Sequence, residues 1–231
     1  MTRARGWRPL AIETADLPKS LKAHAYNLIK AAVLRGDIEV GVVISQDQLS
    51  QWLGISRTPV REALLELQNE GLVRVLRGRG VEIERLTPED AQEIIEIRKG
   101  LEAHAAHLVA LKPASALIEQ LERELSIMRI LAAQNQRHKF LESDRTFHRL
   151  IVGATGNRRM QGMAEALRDQ FMRVGVQALE QSTNMIDVIA EHLSIVTAIG
   201  QNNPAGARDA MLNHLEHTAG RFLHTMKKEP V

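Results

Sequence analysis

The 231-residue chain has no cysteine, and its aromatic residues make up only 3% of the sequence. Without thiols the chain forms no disulfide, offers no thiolate ligand to a metal and has no cysteine nucleophile. Hydrophobic residues still account for 44% of the sequence, so aliphatic side chains must fill the core. This balance favours helices over a β-sandwich.

Long hydrophobic runs are also missing. No apolar stretch approaches the roughly 18 residues that a membrane-spanning helix requires. The basic N-terminal stretch MTRARGWRPLAIETADLP is not followed by the apolar segment of a secretory signal. We therefore expect a soluble cytoplasmic protein with no membrane partner.

Charge is nearly balanced, with a formal net value of +2, but it is unevenly distributed. Residues 1–81 carry more Lys and Arg than Asp and Glu, whereas the rest of the chain carries more acids than bases. This asymmetry predicts an anionic partner at the N-terminal end. Histidine has the opposite distribution, because only His24 precedes position 100.

The first 85 residues predict a flexible arm followed by a small domain. Residues 1–17 lack helical periodicity and form the expected arm. Residues 18–85 predict three helices, with the short extended stretch VGVVI after the first and a β-hairpin around RGRG after the third. Ser45 is the expected cap of the second helix, and the third is expected to begin at Thr58–Pro59. This order predicts a winged helix-turn-helix.

The rest of the chain, residues 86–231, predicts helices almost to its end. Thr87 is the expected first cap, and Pro113, GATGN and NNP mark breaks between helices. The six expected helices span about 88–111, 114–135, 137–153, 157–180, 185–201 and 204–226. The predicted fold class is therefore mainly α, with a winged helix-turn-helix joined to an antiparallel bundle of about six helices.

The stretch ISRTPVREAL, residues 55–64, places polar and cationic side chains at the start of the third helix. Its apolar residues lie on the opposite face, so the polar end is expected to be exposed. In a helix-turn-helix this helix enters the major groove, where an arginine can bind guanine in a two-pronged contact. The expected DNA-binding residues lie at this helix start and at the hairpin tip: Ser56, Arg57, Thr58, Arg61, Arg77, Gly78 and Arg79.

An alternative interpretation makes Ser56 and Thr58 ordinary helix caps and the two arginines solvated side chains. The preceding helix, its terminal Gly54 and the basic hairpin favour DNA binding, because all three are in register with the polar stretch.

The stretch LSQWLGISRTPVREALLELQNEGLVRVLRGRGVEI resembles the DNA-binding domain of the GntR family of bacterial transcription regulators. The later helices resemble FCD, the effector domain of the FadR branch, and their number resembles its VanR-type subgroup. The resemblance covers about residues 18–225. It implies a homodimer that binds a pseudo-palindromic operator on double-stranded DNA and senses a small molecule. One departure is that many relatives have a basic residue where this chain has Asp47 or Gln48, which leaves a phosphate contact there open.

Four residues of the second domain have the spacing of a metal site. Asp144 and His148 are four residues apart and share one helical face. His192 and His214 lie on two later helices, and side chains from three antiparallel helices can converge inside a bundle. By spacing alone, an Asp-x3-His pair is more often a solvated or hydrogen-bonded pair. The FCD resemblance implies the metal site, because all four residues match ligand motifs of that family.

This ligand set suits Zn²⁺, Ni²⁺, Mn²⁺ or Fe²⁺, and Zn²⁺ is the ion expected in the isolated protein. Four protein ligands on an octahedral ion leave two positions for a bidentate organic acid. Arg98 is the expected effector-binding residue, a clamp for the carboxylate of the ligand, in keeping with an arginine common in the family. The alternative for Arg98 is a salt bridge to Glu102 or Glu96 on its own helix.

Four other polar residues are given lesser roles. Asn157 is more readily a helix cap than a ligand group, and His217 is a minor metal candidate. His104 and His107 are expected on the surface or in a dimer interface.

The predicted function is a transcription regulator, most simply a repressor, whose operator binding is modulated by a small carboxylate at the metal site. One alternative is a metal-dependent hydrolase that uses the same Asp/His site and metal-bound water. Another is an architectural DNA-binding protein without an effector.

Overall fold

The two parts of the chain form separate compact units, Met1–Arg85 and Leu86–Val231. The computed structural model describes residues 20–38, 40–83, 86–182 and 185–226. The expected arm, residues 1–17, lies outside the described residues. No helix within those ranges is long and apolar enough to cross a membrane.

The N-terminal unit contains three helices and a small antiparallel sheet. These elements are α1 (Leu21–Arg35), β1 (Val43–Ile44), α2 (Gln46–Leu53), α3 (Arg57–Asn69), β2 (Arg74–Leu76) and β3 (Gly80–Glu82). The sheet has the order β1-β3-β2, so β3 pairs with both other strands. The extended VGVVI stretch supplies β1 and the RGRG hairpin supplies β2 and β3, which confirms the predicted winged helix-turn-helix.

Local sequence explains the limits of α2 and α3. Ser45 caps α2 and forms a capping box with Gln48, whose backbone N–H donates to Ser45 Oγ at 3.1 Å. Gly54 ends α2 with a φ of 64°, a left-handed conformation that glycine adopts readily. α3 begins at Arg57, one residue before the expected start, and Ser56 at its N-cap makes no side-chain capping hydrogen bond. The alternative interpretation, in which Ser56 is an ordinary helix cap, is therefore not supported.

A close backbone contact holds the wing against the preceding strand. Gly80 begins β3 with a φ of 131°, and a Cβ atom at this position would lie 2.2 Å from the backbone oxygen of Ile44. Only glycine lets β3 pass β1 at this distance. Val60, Ala63, Leu64 and Leu67 of α3 are buried behind the sheet, as the periodicity predicts.

The C-terminal unit is helical in all its described parts. Its helices are α4 (Pro88–Leu111), α5 (Ser115–Ala133), α6 (Arg137–Ala154), α7 (Arg158–Ser182), α8 (Met185–Gly200) and α9 (Pro204–Met226). They closely match the six predicted helices and confirm the mainly α fold class. Thr87 forms the expected capping box, with Asp90 as its partner and Pro88 in the first turn.

The bundle packs so that four helices meet around one interior region. α4 packs most extensively against α9, α9 also packs against α8, and α4 contacts both α6 and α8. The aliphatic and phenylalanine side chains of these helices form one core cluster, which includes Phe147, Ile151, Ile195, Met211 and Leu215. Polar side chains that point inward from α4, α6, α8 and α9 therefore come together inside a hydrophobic shell.

Candidate functional site

The structure brings together all four residues predicted as metal ligands. One ligand atom from each of Asp144, His148, His192 and His214 lies within 4.8 Å of the others. The Nε2 atom of His148 is 3.2 Å from Nε2 of His192 and 3.2 Å from Nε2 of His214. The three imidazoles are buried. The side chains come from α6, α8 and α9, the three helices that the sequence predicts.

The donor spacing fits a small divalent cation. Nitrogen ligands bonded to one ion at 2.0–2.1 Å lie about 2.8 to 3.4 Å apart for bond angles between 90° and 109°, and the Nε2–Nε2 separations of 3.2 Å fall within this range. The carboxylate of Asp144 completes the set, with Oδ1 3.4 Å from Nε2 of His192 and 3.9 Å from Nε2 of His148. The residues present therefore suit the cation that the sequence predicts.

Two of the histidines are oriented by buried or half-buried carboxylates. Nδ1 of His148 contacts Oε2 of Glu102, and Nδ1 of His214 lies 2.9 Å from Oε2 of Glu191. A carboxylate at Nδ1 favours the tautomer with its proton on that atom, which leaves the Nε2 lone pair facing the cluster. Both rings are thus set as ligands by a second residue from another helix.

His192 is held differently. Its ring stacks on Phe147 with the ring centroids 4.3 Å apart, and its Nδ1 has no hydrogen-bond partner among the described residues. Packing on an aromatic ring, rather than a carboxylate, fixes this side chain.

The electrostatic environment favours the protonation states that a metal requires. Burial, reinforced by the charge of Arg168, lowers the pKa of His148 to about 4. Burial and the neighbouring His214 lower the pKa of His192 well below its ordinary value. Burial would raise the pKa of Asp144, but the attraction of Arg168 and the three histidines outweighs burial and lowers it. Near neutral pH, His148 and His192 are therefore neutral and Asp144 is ionised.

Arg98 adopts the arrangement of the alternative interpretation. It is 3% exposed, and its Nε donates to Oε1 of Glu102 at 2.6 Å, four residues along α4. The guanidinium also lies over the ring of Phe171, with 5.5 Å between Cζ and the ring centroid. Arg98 thus supports Glu102, which in turn orients His148. Its predicted contact with a ligand carboxylate stays a prediction.

A second buried arginine, Arg168 of α7, was not anticipated from the sequence. Its Nη2 donates to Oδ2 of Asp144 at 2.6 Å, and its Nη1 donates to Oε2 of Glu102 at 3.3 Å. The Nε of Arg168 is buried and makes no hydrogen bond to the described residues. Arg168 also lines a narrow crevice beside His148, with Arg145 and Arg149 in the same wall. Glu165 lines the same crevice and Arg145 is paired with Asp169, so the charge of its wall is mixed.

Glu191 was also missed, although it directly precedes His192. It accepts hydrogen bonds from both terminal nitrogens of Arg221 at 2.8 Å and faces Nδ1 of His217 at 2.9 Å. Burial would raise the pKa of Glu191, but the hydrogen bonds from Arg221 and His214 lower it to about 2. His217 itself is 60% exposed and is not in the four-residue cluster.

The remaining polar residues have simpler roles. Asn157 Oδ1 accepts hydrogen bonds from the backbone N–H groups of Arg159 and Met160 at 3.1 Å, so it caps α7. His104 and His107 stack on each other with their ring centroids 6.5 Å apart. His104 lies on the exposed side of α4.

The predicted DNA-binding residues form an exposed polar end on α3 and an exposed tip on the hairpin. All seven are solvent-exposed: Ser56, Arg57, Thr58, Arg61, Arg77, Gly78 and Arg79. The tip is a tight turn in which the backbone N–H of Arg79 donates to the oxygen of Leu76 at 3.0 Å. Asp47 of α2 forms an ion pair with Arg57.

Comparison with known proteins identifies both units. The family model described as bacterial regulatory proteins, gntR family, matches residues 21–83, and the FCD domain model matches residues 93–217. The VanR-type subgroup stays a prediction.

Similar proteins align over nearly the whole chain. The HTH-type transcriptional regulator YdhC of Bacillus subtilis is 25% identical over 214 residues, which cover 92% of this chain and 96% of YdhC. The HTH-type transcriptional repressor RspR of Escherichia coli is 24% identical, with 90% and 91% of the two chains covered. The solved structure of E. coli McbR/YncC superposes with a TM-score of 0.81 at 20% identity, covering 90% of this chain and 100% of the other.

We expect Glu102→Gln to destabilise the C-terminal unit by about 3 kcal/mol or more, because it removes the carboxylate that buried Arg98 contacts and one of the two carboxylates that buried Arg168 contacts. Thermal unfolding followed by circular dichroism measures this loss. Glu96→Gln, an exposed residue on the same helix, is the matched control and should change stability by no more than about 0.5 kcal/mol. Equal stability of the two variants would show that Glu102 is not required to compensate the arginines.

Proposed function

Because the chain belongs to the GntR family of bacterial transcription regulators and carries an FCD domain, we propose that it is a repressor controlled by a small organic acid. The effector binds at a metal centre in the helical bundle and changes operator affinity. The convergence of Asp144, His148, His192 and His214 is the observation that supports this proposal. Membership of a family of transcription regulators argues against the hydrolase alternative. The buried Asp/His cluster argues against a purely architectural DNA-binding protein, which would need no effector site.

DNA binding is assigned to α3 and the wing. Arg57 and Arg61 are exposed at the start of α3, while its other face is buried. Base edges in the major groove are the target of such arginines, and the exposed N-terminal turn of the helix adds N–H groups for phosphate. Arg77 and Arg79 at the hairpin tip contact the DNA backbone or the adjacent minor groove.

The metal centre is assigned to the four-residue cluster, with Zn²⁺, Ni²⁺, Mn²⁺ or Fe²⁺ as candidates and Zn²⁺ as the ion expected on isolation. When bound, the ion supplies a Lewis-acidic anchor for an anionic ligand. The role of Glu102 and Glu191 is to hold His148 and His214 in the ligand tautomer. The role of Arg168 is to fix Asp144 through Oδ2 and leave Oδ1 facing the histidines.

The effector is assigned to the side of the cluster that Arg168 lines. Arg145, Arg149 and Arg168 line the crevice beside His148 together with Glu165, and the arginines are the groups that would bind a small carboxylate there. The unused Nε of Arg168 offers one donor, and Arg98, as predicted from the sequence, adds positive charge behind Glu102. Such a ligand alters operator affinity only through a difference in its affinity for the DNA-binding and non-binding states.

The homodimer is assigned to the exposed face of α4. Ile97, Leu101, His104, Leu108 and Leu111 recur at alternating spacings of four and three residues, the pattern of a helix-pairing stripe. Ile97 is 48% exposed and Leu111, about four turns further along the same helix, is 58% exposed. A second copy of α4 related by a two-fold axis presents the same stripe and can cover it.

We expect Arg57→Ala combined with Arg61→Ala to weaken binding to an operator duplex by at least about thirtyfold, because each arginine contributes about 1–3 kcal/mol. A duplex selected from a random pool by the wild-type protein provides the probe for fluorescence anisotropy. Arg123→Ala with Arg208→Ala removes the same charge from exposed positions of the bundle and should preserve binding. Undiminished binding by the first double variant would end the DNA-binding assignment.

We expect one divalent ion per chain in a zinc titration against a chromophoric chelator. His214→Ala should lower the affinity about a hundredfold or more, because it removes a ligand, and Glu191→Gln should lower it about ten- to a hundredfold. His217→Ala is the matched control, since His217 shares Glu191 but lies outside the cluster. Equal losses for His214→Ala and His217→Ala would contradict the assignment.

We expect Leu108→Glu with Leu111→Glu to convert the dimer into monomers, because two buried charges per helix would face each other across the two-fold axis. Sedimentation velocity measures the change. Leu193→Glu, at a 44% exposed position of α8, is the control and should remain dimeric. A dimer that survives the α4 substitutions, or dissociates with the α8 substitution, places the interface elsewhere.

A further inference from the structure

We propose that Asp47 is a positioning residue for DNA recognition. Its carboxylate binds the Nε and Nη2 edge of the Arg57 guanidinium, so that Arg57 contacts one base rather than phosphate. This inference rests on the proposed DNA binding by α3. It assigns a role to Asp47, one of the two residues at which the family resemblance left a phosphate contact open.

The two side chains meet in a two-point contact between the starts of two helices. Asp47 lies in the first turn of α2 and Arg57 is the first residue of α3. Arg57 Nε is 2.5 Å from Oδ1 of Asp47, and Nη2 donates to Oδ2 at 2.8 Å. Both carboxylate oxygens are therefore engaged by one edge of the guanidinium, the arrangement that fixes its plane as well as its position.

The outer edge of the guanidinium stays available. Of its five N–H donors, the side-on contact uses the Nε proton and one proton of Nη2. The pair formed by Nη1 and the second proton of Nη2 has no partner in the described part of the chain. This end-on pair matches the O6 and N7 acceptors of guanine in the major groove. Asp47 thus occupies the edge that guanine does not need.

The two exposed arginines of α3 differ in net charge, and this difference gives them different roles in DNA binding. The ion pair leaves Arg57 with little net charge to attract phosphate. Arg61 has no ion pair with any described residue, so it keeps its full charge one turn further along α3. We infer that Arg61 contributes salt-dependent affinity and that Arg57 contributes base preference.

Stability does not explain the pair. The Arg57 side chain is 73% exposed and the Asp47 side chain is 50% exposed, and exposed ion pairs contribute little to folding. A paired guanidinium does have fewer rotamers to lose on binding, so its contact with a base is made at a smaller entropic cost. The benefit of the pair therefore lies in recognition.

The test uses the full-length protein, a duplex selected from a random pool by the wild type, and the same duplex with each base pair substituted in turn. Arg57→Ala should erase the preference at one guanine per half-site. Asp47→Asn should reduce the preference at that same guanine by about fivefold or more, because the arginine becomes mobile. It should also strengthen binding to a shuffled duplex and steepen the salt dependence by about one unit of slope per protomer.

Asp37→Asn is the matched control, since Asp37 forms a similar exposed pair with Arg35 beyond α1. It removes the same charge and should leave the guanine preference unchanged. Asp47→Asn with Arg57→Ala should lose no more preference than Arg57→Ala alone. Tryptophan fluorescence in urea checks folding, because Trp52 packs against the core of the N-terminal unit.

Two results would overturn the inference and are distinguishable. If Asp47→Asn keeps the guanine preference while Arg57→Ala loses it, Asp47 is not a positioning residue and the proposed function stands. If Arg57→Ala also keeps wild-type binding and preference, the assignment of α3 to base recognition fails together with the inference.

Discussion

Burial of ionised side chains inside a helical bundle is the constraint on which the C-terminal unit depends. Glu102 lies between two buried arginines and a histidine, and Arg168 bridges it to Asp144. Each charge is compensated by its neighbours, since an isolated charge in such surroundings would be strongly unfavourable. The network also fixes the orientation of His148 and Asp144. The contacts that compensate the buried charges therefore also hold the candidate ligands in position.

The N-terminal unit uses charge in the opposite way. Its core is aliphatic, and its arginines stand at the exposed ends of α3 and the hairpin. A rigid backing is needed because a side chain can read a base only if its backbone is held in place. Gly80 contributes to that rigidity by letting β3 pack directly against β1. The C-terminal unit thus buries its charged side chains around an internal site, whereas the N-terminal unit exposes its arginines to solvent.

Several features followed from sequence because they depend on neighbouring residues. Helix limits were predictable from Ser45, Thr87 and the apolar periodicity, since caps and spacing act locally. The candidate ligands were predictable because an Asp-x3-His pair shares one face of α6, and because motifs of a known family matched the other two histidines. The alternative interpretation of Ser56 as a cap could not be decided from sequence, since a serine before a helix can leave its hydroxyl in solvent instead.

By itself, the sequence determined the order of helices and strands, the buried face of α3 and the identity of the four candidate ligands. Only the tertiary structure decided which charged side chains pair with one another. Arg168 looks like any cation of an amphipathic helix until α7 packs against α6, and Asp47 meets Arg57 only because α2 and α3 are folded against each other. Local patterns reflect propensity and periodicity, whereas a pairing between distant residues depends on how helices pack, which no local pattern encodes.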